Sequence, residues 1–379
     1  MTPIQRVVAD AIDDGRLVGA VVLVARHGEL IHEQAAGFAD RERAAPMTLG
    51  TLFRLASVSK PIVSTAALVL MAQGRLQLTD DVTRWLPEFT PTLEDGTTPR
   101  LSVRHLMTHT AGLTYGFFQA PGGTYSRAGV SDGMDDRRMS LRENLRRIAS
   151  VPLLYSPSTE WRYSIATDVL GAVIEAVTQM PLDKAVEALV TAPLGMCDTA
   201  FAAVDAGRLA IAYADGTPLP RPLEEPDVVP FVEGAAGFRL SPGRALNVDA
   251  HPSGGAGMVG SASDFLRLLE TLRNGGAPLL PESLVRAFTT DQIGGLPMAF
   301  WPGRGFGLGV TVLKDPDEAQ SPESVGSWRM GGTYGHSWFV DPARELSVVA
   351  FTNTALEGMS GRFVTDLRDA VYASLEVTQ

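Results

Sequence analysis

Ser57-Val58-Ser59-Lys60 sets a hydroxyl three residues before an amine. On a helix that spacing is nearly one turn, so Ser57 and Lys60 share a face. A serine hydroxyl is a poor nucleophile until a neighbouring base takes its proton, and a neutral amine can do this. The chain has only three lysines, Lys60, Lys184 and Lys314, against 29 arginines. Arginine stays charged in proteins, whereas a buried lysine can become neutral. A lysine at position 60 in a chain that otherwise uses arginine fits a need for a base. The bland alternative is that Ser57 only caps a helix.

The flanking residues bear on that choice. Ile62 to Met71 is apolar nearly all round, the pattern of a helix inside a large core, and Gly74 can stop it. Pro61 is tolerated only near a helix start, so the helix should begin close to Ser57. There, free N–H groups and the positive dipole end can stabilise an oxyanion. Ser59 would point away, and Ser64 could reach Lys60 only from mid-helix.

Two further stretches carry candidate chemistry. In Trp161-Arg162-Tyr163-Ser164-Ile165, Tyr163 stands just before a helical pattern, and its phenol can relay a proton. The alternative is simple packing. In Trp328-Arg329-Met330-Gly331-Gly332-Thr333-Tyr334-Gly335-His336-Ser337-Trp338, adjacent glycines on a strand permit close approach by a ligand. The Thr333 N–H could supply a second oxyanion donor. A glycine-bearing edge or bulge with no ligand is the other reading. Gly129-Val130-Ser131-Asp132-Gly133 matches the G-x-S-x-G elbow, but no strand precedes it and no helix follows, so it is rejected. His105 and His109 are four apart without the glutamate of a zinc helix and are read as structural.

The whole chain sets the frame for these residues. At 379 residues with 45% hydrophobic content, two domains are expected. A net charge of −11 argues against nucleic acid and anionic membrane as partners. The lone Cys197 excludes an internal disulfide, and the amphipathic start, Met1 to Ile12, has no signal-peptide core. No apolar run is long enough to span a membrane. A cytoplasmic location is expected. Gly19–Ala25 and Leu30–Ala36 predict a hairpin, and strands are expected at Gly305–Leu313, Tyr334–Val340 and Glu345–Thr352, with a closing helix at Phe363–Leu375. Helical patterns occupy the middle, at Val103–His109, Leu141–Ser150, Asp168–Thr178 and Leu182–Val190. The predicted layout is a discontinuous α/β domain, 1–75 and 260–379, around a mainly helical insertion, 76–259. The irregular stretches 113–138 and 203–257 read as functional rims or mobile connectors.

In order and content these boxes resemble the serine β-lactamase and penicillin-binding-protein superfamily, and its class C-like carboxylesterases (family VIII) in particular. Ser57 to Lys60 is similar to the S-x-x-K box, Tyr163-Ser164-Ile165 to the Tyr-x-Asn box, and Met330-Gly331-Gly332 to the Lys-Thr-Gly box. Leu106 to Leu113 and Gly254 to Asp264 add supporting matches. The resemblance implies an antiparallel sheet flanked by helices, with the active site between it and a helical domain. It implies Ser57 as nucleophile, Lys60 and Tyr163 as its proton partners, and an oxyanion hole of the Ser57 and Thr333 N–H groups. Phe118, Met330, Gly331, Gly332, Tyr334, His336 and Trp338 become candidate substrate contacts. No metal or cofactor is required. Ile165 and Met330 replace the polar groups that hold a β-lactam's amide and carboxylate, so the expected substrate is a small ester. A β-lactamase, D-aminopeptidase or acyltransferase of the same fold is the near alternative, and a non-catalytic binder the distant one.

Overall fold

The computed structural model describes residues 1–376. Its centre is one eight-stranded antiparallel sheet. The strands are β1 (Gly19–Arg26), β2 (Glu29–Asp40), β3 (Ala45–Pro46), β4 (Arg304–Phe306), β5 (Thr311–Leu313), β6 (Trp328–Gly332), β7 (His336–Asp341) and β8 (Leu346–Thr352). Their order is β4-β5-β6-β7-β8-β1-β2-β3, so β1 pairs directly with β8. Both ends of the sequence therefore build one sheet.

The β1 sequence Gly-Ala-Val-Val-Leu-Val-Ala is apolar without alternation because both of its faces are covered. Ala20, Val22 and Val24 face one core, made with helices α1 (Pro3–Asp13) and α8 (Arg362–Glu376). Val21 and Leu23 face the larger core. The two-residue loop His27-Gly28 joins β1 to β2, and both residues have positive φ, as a tight hairpin turn requires.

The middle of the chain supplies α2 (Ser59–Ala72), α3 (Val103–Met107), α4 (Leu141–Ala149), α5 (Ala166–Thr178) and α6 (Leu182–Val186), and α7 (Ala262–Arg273) returns to the sheet. One continuous hydrophobic cluster runs from β1 through α2 and α5 to α7 and β6. The sheet and the helical region thus share a core instead of meeting at a separable interface.

Three expected elements differ. The strand anticipated over Gly305–Leu313 is the hairpin β4–β5. Gly309 takes a φ of +126°, and a side chain at Gly307 would collide with the Phe288 carbonyl oxygen, so the alternating glycines serve a turn. β7 starts at His336 because Gly335 (φ +110°) turns the chain there, which leaves Tyr334 outside the strand. Leu182–Val190 is not one α-helix: α6 ends at Val186 and one π-helical turn covers Glu187–Thr191.

Candidate active site

Ser57 lies in a 3-10 turn, Ala56–Val58, that leads straight into α2. It is not a helix cap: the residue before α2 is Val58, and no side chain caps that end. Pro61 is the third residue of α2, within the first turn, where its missing N–H leaves no broken bond. Ser57 remains partly exposed while Lys60 is completely buried. Lys60 Nζ lies 3.1 Å from Ser57 Oγ and 2.8 Å from the carbonyl oxygen of Gly255. Ser59 turns the other way, its Oγ accepting the Met258 N–H at 3.1 Å.

Lys60 makes no ion pair among the described residues. Burial pulls its pKa well below the ordinary amine value, against a smaller upward pull from Asp168 and then Asp132. The nitrogen sits 4.6 Å from the centroid of the Tyr163 ring and 5.1 Å from that of Tyr115. Tyr163 is buried, which raises its pKa, although its contact with Ser57 lowers it slightly. Its hydroxyl faces Ser57 without meeting full hydrogen-bond geometry. Burial keeps the phenol protonated and lowers the pKa of the amine, so of the two Lys60 is the one suited to accept the Ser57 proton.

Behind Lys60 the residues converge from distant parts of the chain. The Gly255 N–H donates to Asp168 Oδ2 at 3.2 Å, so one glycine touches both Lys60 and Asp168. A Cβ on Gly255 would come within 2.6 Å of that oxygen and 2.8 Å of the Tyr115 hydroxyl. Only glycine fits there. Asp168 is fully buried on α5, and burial raises its pKa while Ser253 and Lys60 lower it. His109 is also buried, its Nδ1 3.0 Å from Ser164 Oγ and its ring 4.9 Å from that of Tyr163. It supports the tyrosine by packing.

Ser57, Tyr163 and Thr333 line one cavity of about 370 Å³. Neither the Ser57 nor the Thr333 N–H meets an acceptor among the described residues, so both are available to an oxyanion. Phe118, Met330 and Gly331 line the cavity too. Tyr334, His336 and Trp338 do not, which corrects their expected place as substrate contacts. Trp338 points from β7 into the core against Phe265 and Trp328. The His336 ring lies 2.8 Å from the Arg54 carbonyl oxygen and packs on Phe53 and Phe351. Tyr334 is buried with Arg54 close by. Gly332 is also off the cavity wall. A Cβ there would fall 2.5 Å from the Leu55 carbonyl oxygen, so its smallness lets β6 press against the segment that carries Ser57.

The structure adds wall residues that no motif announced: Phe117, Phe231, Phe238, Phe300 and Trp301. Phe118 stacks on Phe300, with centroids 5.7 Å apart and planes 10° apart. The irregular stretches at 113–138 and 203–257 thus contribute aromatic wall. Asp132, from the rejected G-x-S-x-G run, accepts the N–H groups of Gly116 (2.8 Å) and Phe117 (3.0 Å) and fixes that wall, while Ser131 is fully buried.

A partly exposed serine against a buried lysine at the start of a core helix, beside a tyrosine, is the arrangement that serine acyl transfer needs. The chain belongs to the beta-lactamase family, whose model matches residues 4–373. It is 52% identical to Esterase EstB of Burkholderia gladioli, over 96% of this chain and 93% of that one. It is 32% identical to Protein Rv1367c of Mycobacterium tuberculosis, over 90% and 87%. Among solved structures, EstCE1, described as a hydrolase with promiscuous acyltransferase activity, matches with a TM-score of 0.96 at 47% identity, covering 98% of this chain and 97% of that one.

Proposed function

We infer that this protein is a serine carboxylesterase that cleaves small carboxylic esters through an acyl-enzyme on Ser57. The observation that carries this is the 3.1 Å approach to Ser57 Oγ of the fully buried Lys60 Nζ, which has no ion pair among the described residues. Lys60 accepts the serine proton as Ser57 Oγ attacks the ester carbonyl carbon. The N–H groups of Ser57 and Thr333 hold the oxyanion, each worth about 3 kcal/mol in such sites. As the C–O bond breaks, Tyr163 gives a proton to the leaving alcohol and recovers one from Lys60. Water then attacks the acyl-enzyme along the same proton path and releases the acid.

Met330 stands where a β-lactamase keeps a cation, and the apolar walls of Phe118 and Phe300 suit an ester better than a β-lactam. The 52% identity with an esterase supports the same reading. The division into a discontinuous α/β part (1–75 and 260–379) and a helical part (76–259) is proposed on strand and helix placement. A cytoplasmic location is proposed on the single, exposed, free Cys197. No helix among the described residues is long and apolar enough to cross a membrane.

Intact-mass spectrometry after rapid quenching with p-nitrophenyl butyrate tests the mechanism, with nitrocefin turnover measured alongside. The expected result is an acyl adduct on the native chain, absent in Ser57→Ala. Nitrocefin turnover faster than ester turnover would overturn the substrate assignment. An adduct that persists in Ser57→Ala would overturn the nucleophile.

A further inference from the structure

The cavity that opens on Ser57 also reaches a cluster of guanidinium groups. Arg304 of β4, Arg329 of β6 and Arg368 of α8 all line it, and no aspartate or glutamate does. Arg329 pairs across the sheet with Phe339, which packs toward α8, so it stands on the α8 face beside Thr311. Behind the wall, the fully buried Glu323 takes both Arg304 (3.3 Å) and Arg329 (3.1 Å). Among the described residues Arg368 pairs only with Asp369, itself 61% exposed. Three cations therefore share one buried carboxylate and one in solvent.

The cluster is short of acceptors. The Arg304 side chain is 6% exposed, yet its Nη1 has no hydrogen-bond partner among the described residues. Burial draws its pKa down to about 10, and Arg329 pushes the same way. A buried guanidinium N–H left unpaired costs stability. Arginine's planar fork suits a carboxylate in particular. Most of the remaining lining of the cavity is apolar or aromatic. A ligand that fills it needs a hydrocarbon stem at the ester and a negative charge beyond.

We propose that this site takes esters bearing a carboxylate several bonds from the scissile carbonyl, such as half-esters of dicarboxylic acids, with Arg304, Arg329 and Arg368 receiving that carboxylate. The proposal rests on the esterase reading and narrows its substrate. It supplies, from β4, β6 and α8, the cation that Met330 does not provide.

Two matched pairs test it at pH 7.5. One places the charge on the acyl side (4-nitrophenyl hydrogen glutarate against 4-nitrophenyl valerate). The other places it on the alcohol side (4-acetoxybutanoate against pentyl acetate). In at least one pair the ratio of kcat/KM should favour the anion by about tenfold, the scale of one hydrogen bond between charged groups. Arg368→Gln should cut that ratio about fivefold or more, and so should Thr365→Asp, which adds a carboxylate at an exposed cavity position. The ratio cancels any loss of folded protein. A native ratio at or below one in both pairs overturns the proposal, as does a preference unchanged in both variants. Turnover of the neutral esters without preference sinks this inference alone. No turnover of any of the four sinks the esterase reading and this inference with it.

Discussion

At the scale of single residues the reactive pair depends on where Lys60 finds itself. The amine is fully buried, and that burial makes its proton easily lost even though the Gly255 carbonyl oxygen accepts from it. Activity should rise with pH as Lys60 deprotonates, with the midpoint below the ordinary lysine range. The charged and titratable groups around it are Asp168 on α5, Asp132 in the 113–138 stretch, and the neutral His109, Tyr115 and Tyr163. Asp168 as an anion favours the protonated amine. Asp168→Asn should therefore move the acid limb of the kcat/KM profile to lower pH, a shift that a purely structural role would not produce. A shift to higher pH would refute this account. Ser57→Ala should lower kcat by about 10⁴-fold or more with the fold retained, read by circular dichroism beside the assay. The Ser57–Lys60 pair was legible in the sequence because its distance is set within one helical turn. Asp168, Tyr115 and Gly255 were not, because they meet Lys60 only through long-range folding, Gly255 from 195 residues away. Trp338 misled for the converse reason: aromatic residues beside a glycine-rich strand look alike whether they face a ligand or a core.

At the scale of elements, two glycines set how closely the parts of the site approach. Gly332 lets β6 lie against Leu55, and Gly255 lets a loop enter between Lys60 and Asp168. Gly332→Ala should destabilise by about 2 kcal/mol and also lower kcat, since the strand that positions Thr333 must move. Unchanged kcat with a lowered Tm would show that β6 does not align the oxyanion donors. Phe118→Ala opens the aromatic wall without touching the pair, so KM for a hexanoyl ester should rise roughly tenfold while acetyl ester turnover changes little. The same scale explains the misread strand at Gly305–Leu313. Alternating apolar residues and glycines fit a strand by period, and only the packing of Phe288 against Gly307 shows why the chain must reverse there.

At the scale of the whole molecule, stability and function separate along the sheet. Trp338 lies in the core and does not line the cavity. Trp338→Ala should cost about 3–5 kcal/mol, seen as a lowered urea midpoint, while KM of the folded fraction stays at the native value. The overall architecture could be anticipated because strand patterns sit at both ends of the sequence and helical ones between. The shared core could not, because which apolar faces meet is decided by packing across hundreds of residues. The neighbours of β1 impose an order on assembly. One partner, β2, follows within a few residues, but the other, β8, is synthesised more than three hundred residues later. A growing polypeptide on the ribosome must keep that oily ribbon unpaired on one edge until the final strands emerge. Holdase chaperones that shield exposed strand edges should therefore improve the yield of this enzyme more than slower growth alone.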